Sequence, residues 1–69
     1  MNNKLLRIKY VCETVSLSKS YIYQLVSKDQ FPKPVQIVEG GSAKAWVESE
    51  VIAWVNSRIA DRDNNVGVV

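Results

Sequence analysis

Histidine is absent from this sequence, and cysteine occurs only once, at Cys12. The commonest general base is therefore missing, and a single cysteine allows neither an intrachain disulfide nor a metal site built from thiolates. Glu48 and Glu50 are two positions apart and point away from each other on a helix, so they form no acid–base pair. No phosphate-binding loop or nucleophile motif is present. We predict a protein that is not an enzyme and that binds no cofactor, metal or small-molecule substrate.

Long apolar runs are also lacking. No segment approaches the roughly 18 apolar residues of a membrane helix, and the first residues do not have the layout of a signal peptide. These absences predict a cytoplasmic protein without a membrane segment. With 69 residues, the chain is long enough for one domain whose single core provides marginal stability.

Positive charge is concentrated in the first two thirds of the chain. Residues 1–44 contain seven basic and three acidic side chains, a net charge of +4. Residues 45–69 contain two basic and four acidic side chains, a net charge of −2. A positive N-terminal part suits a polyanion such as nucleic acid, although scattered lysines also serve as ordinary solubilising charges.

A short first helix is predicted by apolar residues that recur at i, i+3, i+4 and i+7, namely Ile8, Val11, Cys12 and Val15. Cys12 lies on this apolar stripe, which predicts a small buried side chain in a reducing compartment. The preceding residues, Leu5 and Leu6, are predicted to form a short extended lead-in.

A second helix is predicted from the N-cap Ser18 to about Asp29, where two following prolines end it. Leu17 and Ile22 are placed to form a hydrophobic staple that sets the entry angle of the chain. One side of the helix is apolar, and at 100° per residue the opposite side carries Ser20, Tyr23, Gln24, Ser27 and Lys28. The two helices and the turn between them predict a helix-turn-helix.

A β-hairpin is predicted after the second helix. Pro32 and Pro34 favour extended backbone, so a strand can begin at Val35, and Gly40-Gly41 suits a two-residue hairpin turn. A turn centred there places Trp46 opposite Val35. The same pairing puts four side chains on one face, namely Val35, Ile37, Lys44 and Trp46.

A third helix is predicted from about Ser49 to Ala60, with Val51, Trp54, Val55 and Ile59 at spacings of three and four. We expect a domain over residues 1–62 and a flexible tail over 63–69. The predicted fold class is α+β and mostly α: a small winged helix-turn-helix with three helices and a two-stranded hairpin between the second and third. Trp46 and Trp54 could form a stacking platform for single-stranded nucleic acid, but their positions favour core roles.

The candidate nucleic-acid contacts follow from this arrangement. Ser20, Tyr23 and Gln24 face outward near the start of the second helix, where a glutamine can pair with adenine and hydroxyls can reach bases or phosphates. Tyr21 lies at the boundary and suits either a contact or the core edge. The remaining candidates are the outward Ser27 and the basic residues Lys19, Lys28, Lys44, Arg7 and Lys9.

The sequence resembles the AlpA family of prophage-encoded regulators from about Leu5 to Arg58. The residues that carry the resemblance are Leu5-Leu6-Arg7-Ile8, Val11, Leu17-Ser18-Lys19-Ser20-Tyr21-Ile22-Tyr23, Phe31-Pro32-Lys33-Pro34-Val35, Trp46, Ser49-Glu50-Val51 and Ala53-Trp54. The resemblance implies a MerR-like or excisionase-like winged helix-turn-helix that binds DNA. It also implies a role in controlling integrase or excision functions of a mobile element, or transcription more generally.

This chain departs from the family pattern at Ser42, Ala45 and Ser16. Family members commonly carry basic residues where this chain has Ser42 and Ala45, and Lys44 between them can replace these only in part. Glu39 adds a negative charge near the hairpin turn, where it would repel a nearby phosphate. The family often has glycine in the turn between the helices, where this chain has Ser16, so a positive φ there would cost stability.

The sequence thus favours a sequence-specific double-stranded DNA-binding regulator of prophage type, located in the cytoplasm at the nucleoid. The alternative is a protein-binding adaptor or antirepressor on the same scaffold, because a fold does not dictate its use. A module of this size reads only a few base pairs. We therefore expect self-association on repeated sites or a DNA-bound partner, with integrase and RNA polymerase as candidates.

Overall fold

The structure is a computed structural model that describes residues 3–64. In chain order its elements are β1 (Leu5–Leu6), α1 (Ile8–Val15), α2 (Lys19–Ser27), β2 (Val35–Gln36), β3 (Lys44–Val47) and α3 (Glu48–Asn64). The predicted α+β class, the three helices and the hairpin between α2 and α3 are confirmed. Across residues 3–64, no helix has both the length and the apolar character needed to span a bilayer.

The sheet contains a third strand that the sequence analysis did not assign. β3 lies in the centre, and β1 and β2 both pair with it in the antiparallel direction. Leu5 lies opposite Val47, and Leu6 lies opposite Trp46. The predicted extended lead-in is therefore a sheet strand, which ties the start of the chain to the residues just before α3. A strand of two residues has no periodicity of its own, so only its distant partner reveals it.

The hairpin register differs by one residue from the predicted one. Val35 lies opposite Ala45 rather than Trp46. At the tip of the hairpin, a turn over Val38–Gly41 is closed by the Gly41 N–H donating to the Val38 carbonyl at 2.9 Å. The strand pairing is centred on Gly40, which has a positive φ of +78°, rather than between Gly40 and Gly41.

This one-residue shift changes which side chains share a face, because neighbouring strand residues point in opposite directions. Gln36 lies opposite Lys44, and the Ile37 N–H donates to the Ala43 carbonyl at 3.0 Å. Lys44 therefore shares its face with Gln36 and Trp46, not with Ile37. The prediction that Val35 and Ile37 share one face with Lys44 and Trp46 is wrong.

A single hydrophobic core joins all three helices to the sheet. Its buried members are Leu6, Val11, Ile22, Phe31, Trp46 and Val51. Cys12 packs against this cluster, but its side chain is only partly buried, whereas full burial was predicted. The core roles predicted for the tryptophans are confirmed for Trp46, which is fully buried, whereas Trp54 packs at the edge.

The turn between α1 and α2 is built on Ser16 in a left-handed conformation, with φ +61° and ψ +38°. Its N–H donates to the Cys12 carbonyl at 2.8 Å, which closes the end of α1. The expected cost of a serine at a positive-φ position therefore applies here, because only glycine enters this region without strain.

We expect Ser16→Gly to stabilise the domain by about 0.5–1 kcal/mol, since relief of strain outweighs the extra freedom of glycine in the unfolded chain. Urea unfolding followed by circular dichroism measures the change. Thr14→Gly, within α1, is the matched control and should destabilise the domain by a few tenths of a kcal/mol, about the difference in helix propensity between threonine and glycine. A Ser16→Gly protein that is less stable than wild type would contradict the strain argument.

Helix α2 begins as predicted and ends slightly earlier. The Tyr21 N–H donates to the Ser18 hydroxyl at 3.2 Å, which confirms the N-cap. Ser27 is the last helical residue, and Asp29 follows with φ +58°. The Gln30 N–H then donates to the Leu25 carbonyl at 2.8 Å and turns the chain toward the prolines.

Helix α3 extends to Asn64, four residues beyond the predicted end at Ala60. The added turn is polar and lacks an apolar period, which is why the pattern did not predict it. Exposed ion pairs, Arg58 with Asp61 and Arg62 with Asp63, lie along this turn. Asp63 and Asn64 are thus helical, and the rest of the tail predicted to be flexible lies outside the described residues. The domain boundary at residue 62 stays a prediction.

Candidate nucleic-acid interface

The candidate site is the outward side of α2, which the core holds at a set angle. Ile22 is fully buried, and Leu25 and Val26 pack against the core from the same side of the helix. The seven side chains predicted to contact nucleic acid from this segment are all exposed, namely Lys19, Ser20, Tyr21, Tyr23, Gln24, Ser27 and Lys28. A nine-residue helix therefore presents a polar surface about 13 Å long.

The two tyrosines of α2 have different surroundings. The Tyr23 ring packs edge-on against the buried indole of Trp46, with ring centroids 5.8 Å apart and an interplanar angle of 62°. Tyr21 is 51% exposed, and Tyr23 is 39% exposed. The side chain at the core edge is therefore Tyr23, whereas the sequence analysis had considered that place for Tyr21. Contact with a fixed indole restricts the Tyr23 ring, while part of its surface stays open to solvent.

Gln24 and Ser27 differ in how free their polar groups are. The Ser27 hydroxyl donates to the Gln24 carbonyl at 2.7 Å, so its proton is already engaged within the helix. The Gln24 amide is exposed and makes no hydrogen bond within residues 3–64. Gln24 therefore has both a donor and an acceptor available for a partner, and Ser27 can mainly accept.

The basic residues of α2 lie at its two ends. Lys19 is the first helical residue and Lys28 the cap at the other end, and both are exposed. Lys33, farther along the chain, forms an exposed ion pair with Asp29 at 3.3 Å. The start of α2 combines an exposed lysine with the positive end of the helix dipole, so this end attracts anions most strongly.

Lys44 lies on the same side of the sheet as Trp46, which the Tyr23 ring of α2 contacts. Lys44 and Trp46 are two residues apart in β3, about 6.6 Å along the strand. Lys44 is exposed, so the hairpin carries a basic side chain on the side where the Tyr23 ring contacts Trp46. Gln36, opposite Lys44, donates from Nε2 to the Gly41 carbonyl at 2.6 Å and braces the turn.

The remaining predicted residues, Arg7 and Lys9, are exposed at the start of α1. Arg7 is the N-cap residue of α1 and lines a shallow cleft with Lys4, Leu5, Leu6 and Tyr10. The structure thus adds Lys4 and Tyr10 to the basic and hydroxyl-bearing groups near Arg7. Neither residue was among the predicted contacts. The available signal was that Tyr10 lies off the apolar stripe of α1.

Three helices, an antiparallel sheet and a polar outward side of α2 define a small winged helix-turn-helix protein. A family model described as "Prophage CP4-57 regulatory protein (AlpA)" matches residues 4–59, and the chain belongs to this AlpA family of prophage regulatory proteins.

One relative comes from Enterobacteria phage P4, where it is described as "Uncharacterized protein ORF88". This chain is 44% identical to it over 59 residues, which cover 86% of this chain and 65% of the relative. The chain therefore spans less than two thirds of that protein's length. No solved structure matches the chain.

Proposed function

We propose that this chain binds double-stranded DNA in a sequence-specific manner and regulates transcription for a prophage or related mobile element. The observation that carries the proposal is the division of α2. One side is anchored by fully buried Ile22, and the other presents exposed hydroxyl, amide and ammonium groups. A helix with these two sides can enter a major groove without losing its own packing. Membership of a prophage regulatory family supports the same conclusion.

In this proposal α2 is the recognition helix, and each side chain has a role set by its chemistry. The free amide of Gln24 pairs with an adenine edge, and Ser20 and Tyr23 contact bases or phosphate. Lys19 and Lys28 contact phosphates at the two ends of the helix, and Lys44 brings the hairpin to the backbone. Tyr21 and Ser27 add to the contacts of α2, and Arg7 and Lys9, at the start of α1, contact the opposite wall of the groove.

We place this activity at the nucleoid, in control of integrase expression or as an excision factor of MerR-like or excisionase-like type. Integrase and RNA polymerase are the proposed protein partners. An adaptor or antirepressor function is the second candidate, favoured by exposed apolar side chains on the hairpin, namely Val35, Ile37 and Val38. Loss of partner binding on hairpin substitution, with DNA binding by α2 variants unchanged, would favour that function.

The test is a gel-shift titration on DNA around the gene and any neighbouring integrase gene, at two salt concentrations. Gln24→Ala should relax specificity at one base position, with a loss of about 1–3 kcal/mol on the preferred sequence. Lys19→Ala should weaken binding to all sequences alike and reduce the salt slope by about one.

Gln30→Ala is the matched control for the glutamine, because Gln30 is also exposed but lies beyond the end of α2. It should bind like wild type. Wild-type affinity, specificity and salt slope in both α2 variants would show that the site is misplaced. A wild-type protein indifferent to duplex DNA at low salt would refute the function itself.

A further inference from the structure

Helix α3 carries an apolar stripe that the core does not use. Val51 and Trp54 face the core, whereas Ile52 and Ile59 are 44% and 43% exposed, with partly buried Val55 between them. The α3 seam, as we call it, consists of Glu48, Ile52, Val55, Ile59 and Arg62. These positions are separated by four, three, four and three residues, so they lie within a sector of about 80° at 100° per residue.

The order of charges along the α3 seam distinguishes between possible partners. A carboxylate stands at its first position, a guanidinium at its last, and three aliphatic side chains lie between them. If a second α3 seam packs antiparallel against the first, Arg62 of one copy lies beside Glu48 of the other, and Ile59 lies beside Ile52. Val55 then lies beside Val55 of the second copy. A parallel arrangement would instead bring like charges together at both ends.

We propose that the α3 seam is a surface for a second copy of this chain, packed antiparallel about a two-fold axis near Val55. Arg62 is exposed, and its guanidinium lies 2.9 Å from the Asp63 carboxylate. Because this ion pair is exposed, little stability is lost when Arg62 also contacts, or moves to, a carboxylate of the second copy. The packing is of the 3-4 kind found between helices whose apolar residues repeat at these spacings.

The expected association is weak. The seam is about 21 Å long, from Glu48 to Arg62, and only one side chain wide. A stable interface buries about 800 Å² on each partner, well beyond what five side chains supply. Pairing should therefore occur at high protein concentration or where two copies are held close together on one DNA. A two-fold pair would match inverted half-sites. The pairing itself does not rest on the proposed DNA binding.

The test uses disulfide exchange in a glutathione buffer without DNA, which reports weak contacts because the covalent bond traps them. In a Cys12→Ala background, Ile52→Cys and Ile59→Cys proteins of different tag mass are mixed. An antiparallel pair brings the new thiol at position 52 of one copy near the new thiol at position 59 of the other. Random pairing would give twice as much mixed disulfide as either homodimer. We expect the ratio of mixed disulfide to homodimer to exceed this value by about fivefold or more, which corresponds to about 1 kcal/mol.

The matched control is a mixture of Glu50→Cys and Ser57→Cys proteins, which have the same seven-residue spacing on a different side of α3. It should give the statistical ratio. A statistical ratio for the seam mixture would refute the interface. An excess of homodimers there would refute the antiparallel direction.

Charge reversal provides a second readout. Glu48→Arg should remove most of the mixed-disulfide excess, because two guanidinium groups then meet at each end of the pair. Adding Arg62→Glu should restore it, whereas a parallel pair would not be rescued. Glu50→Arg, in the same first turn of α3, is the control and should change nothing. Circular dichroism confirms folding of each variant. Failure of rescue in folded protein would overturn the assigned pairing.

Discussion

Trp46→Ala is expected to leave the domain unfolded at 25 °C. Trp46 is fully buried, and its indole N–H donates to the Pro32 carbonyl at 2.7 Å. Its ring also supports Tyr23, and its backbone pairs with Leu6 across the sheet. Removing a buried tryptophan costs about 3–5 kcal/mol. A single core of this size supplies about the same amount, so little or no net stability would remain.

Far-UV circular dichroism during urea and thermal unfolding measures this effect. Trp46→Phe keeps most of the apolar volume but leaves the Pro32 carbonyl without its donor, and should cost about 1–3 kcal/mol. The loss of unfolding free energy in Trp54→Ala should lie between the losses in these two variants, because Trp54 is only partly buried. Its indole N–H nevertheless donates to the Gln30 carbonyl at 2.8 Å. A cooperative wild-type transition in Trp46→Ala would contradict the assigned core.

Ser20→Glu is expected to abolish specific DNA binding while leaving the fold intact or slightly more stable. Ser20 is the second residue of α2 and is exposed. A carboxylate there interacts favourably with the helix dipole, by about 0.3–1 kcal/mol. In the proposed complex the same carboxylate would face phosphates and base edges, where a like charge costs several kcal/mol. We expect affinity to fall by about 100-fold or more while the melting temperature holds or rises.

Two controls separate the charge from its position. Ser20→Gln has nearly the shape of glutamate without its charge and should retain most of the affinity. Ser49→Glu makes the identical change at the second residue of α3, away from α2. It should leave gel-shift affinity within about twofold of wild type, a difference well under 1 kcal/mol. Undiminished binding by folded Ser20→Glu would show that this side of α2 does not enter the groove.

Short-range patterns predicted the helical part of this protein well. The spacing of Ile8, Val11 and Val15 marked α1, and the Ser18 hydroxyl caps α2 as expected. Pro32 and Pro34 placed the start of β2 correctly. Each of these features depends on residues within one or two turns of each other, so local sequence contains the relevant energetics.

Local patterns did not predict the strand pairing between residues far apart in the chain. Leu5 and Leu6 form a strand only because Trp46 and Val47 lie beside them, about forty residues later in the chain. The hairpin register was predicted from a two-residue turn with positive φ at both Gly40 and Gly41, whereas only Gly40 has a positive φ and the strands pair about it. The end of α3 was missed because its last turn is polar and lacks an apolar repeat.

The candidate interface divides in the same way. The amino-acid sequence by itself determined that Ser20, Gln24 and Ser27 lie on the side of α2 opposite its apolar residues, because helical periodicity is a local property. Only the tertiary structure decided that Tyr23 rests against Trp46 and that Gln36, rather than Ile37, lies opposite Lys44. Those relations require elements far apart in the chain to pack together, and a one-residue difference in strand register is enough to reverse them.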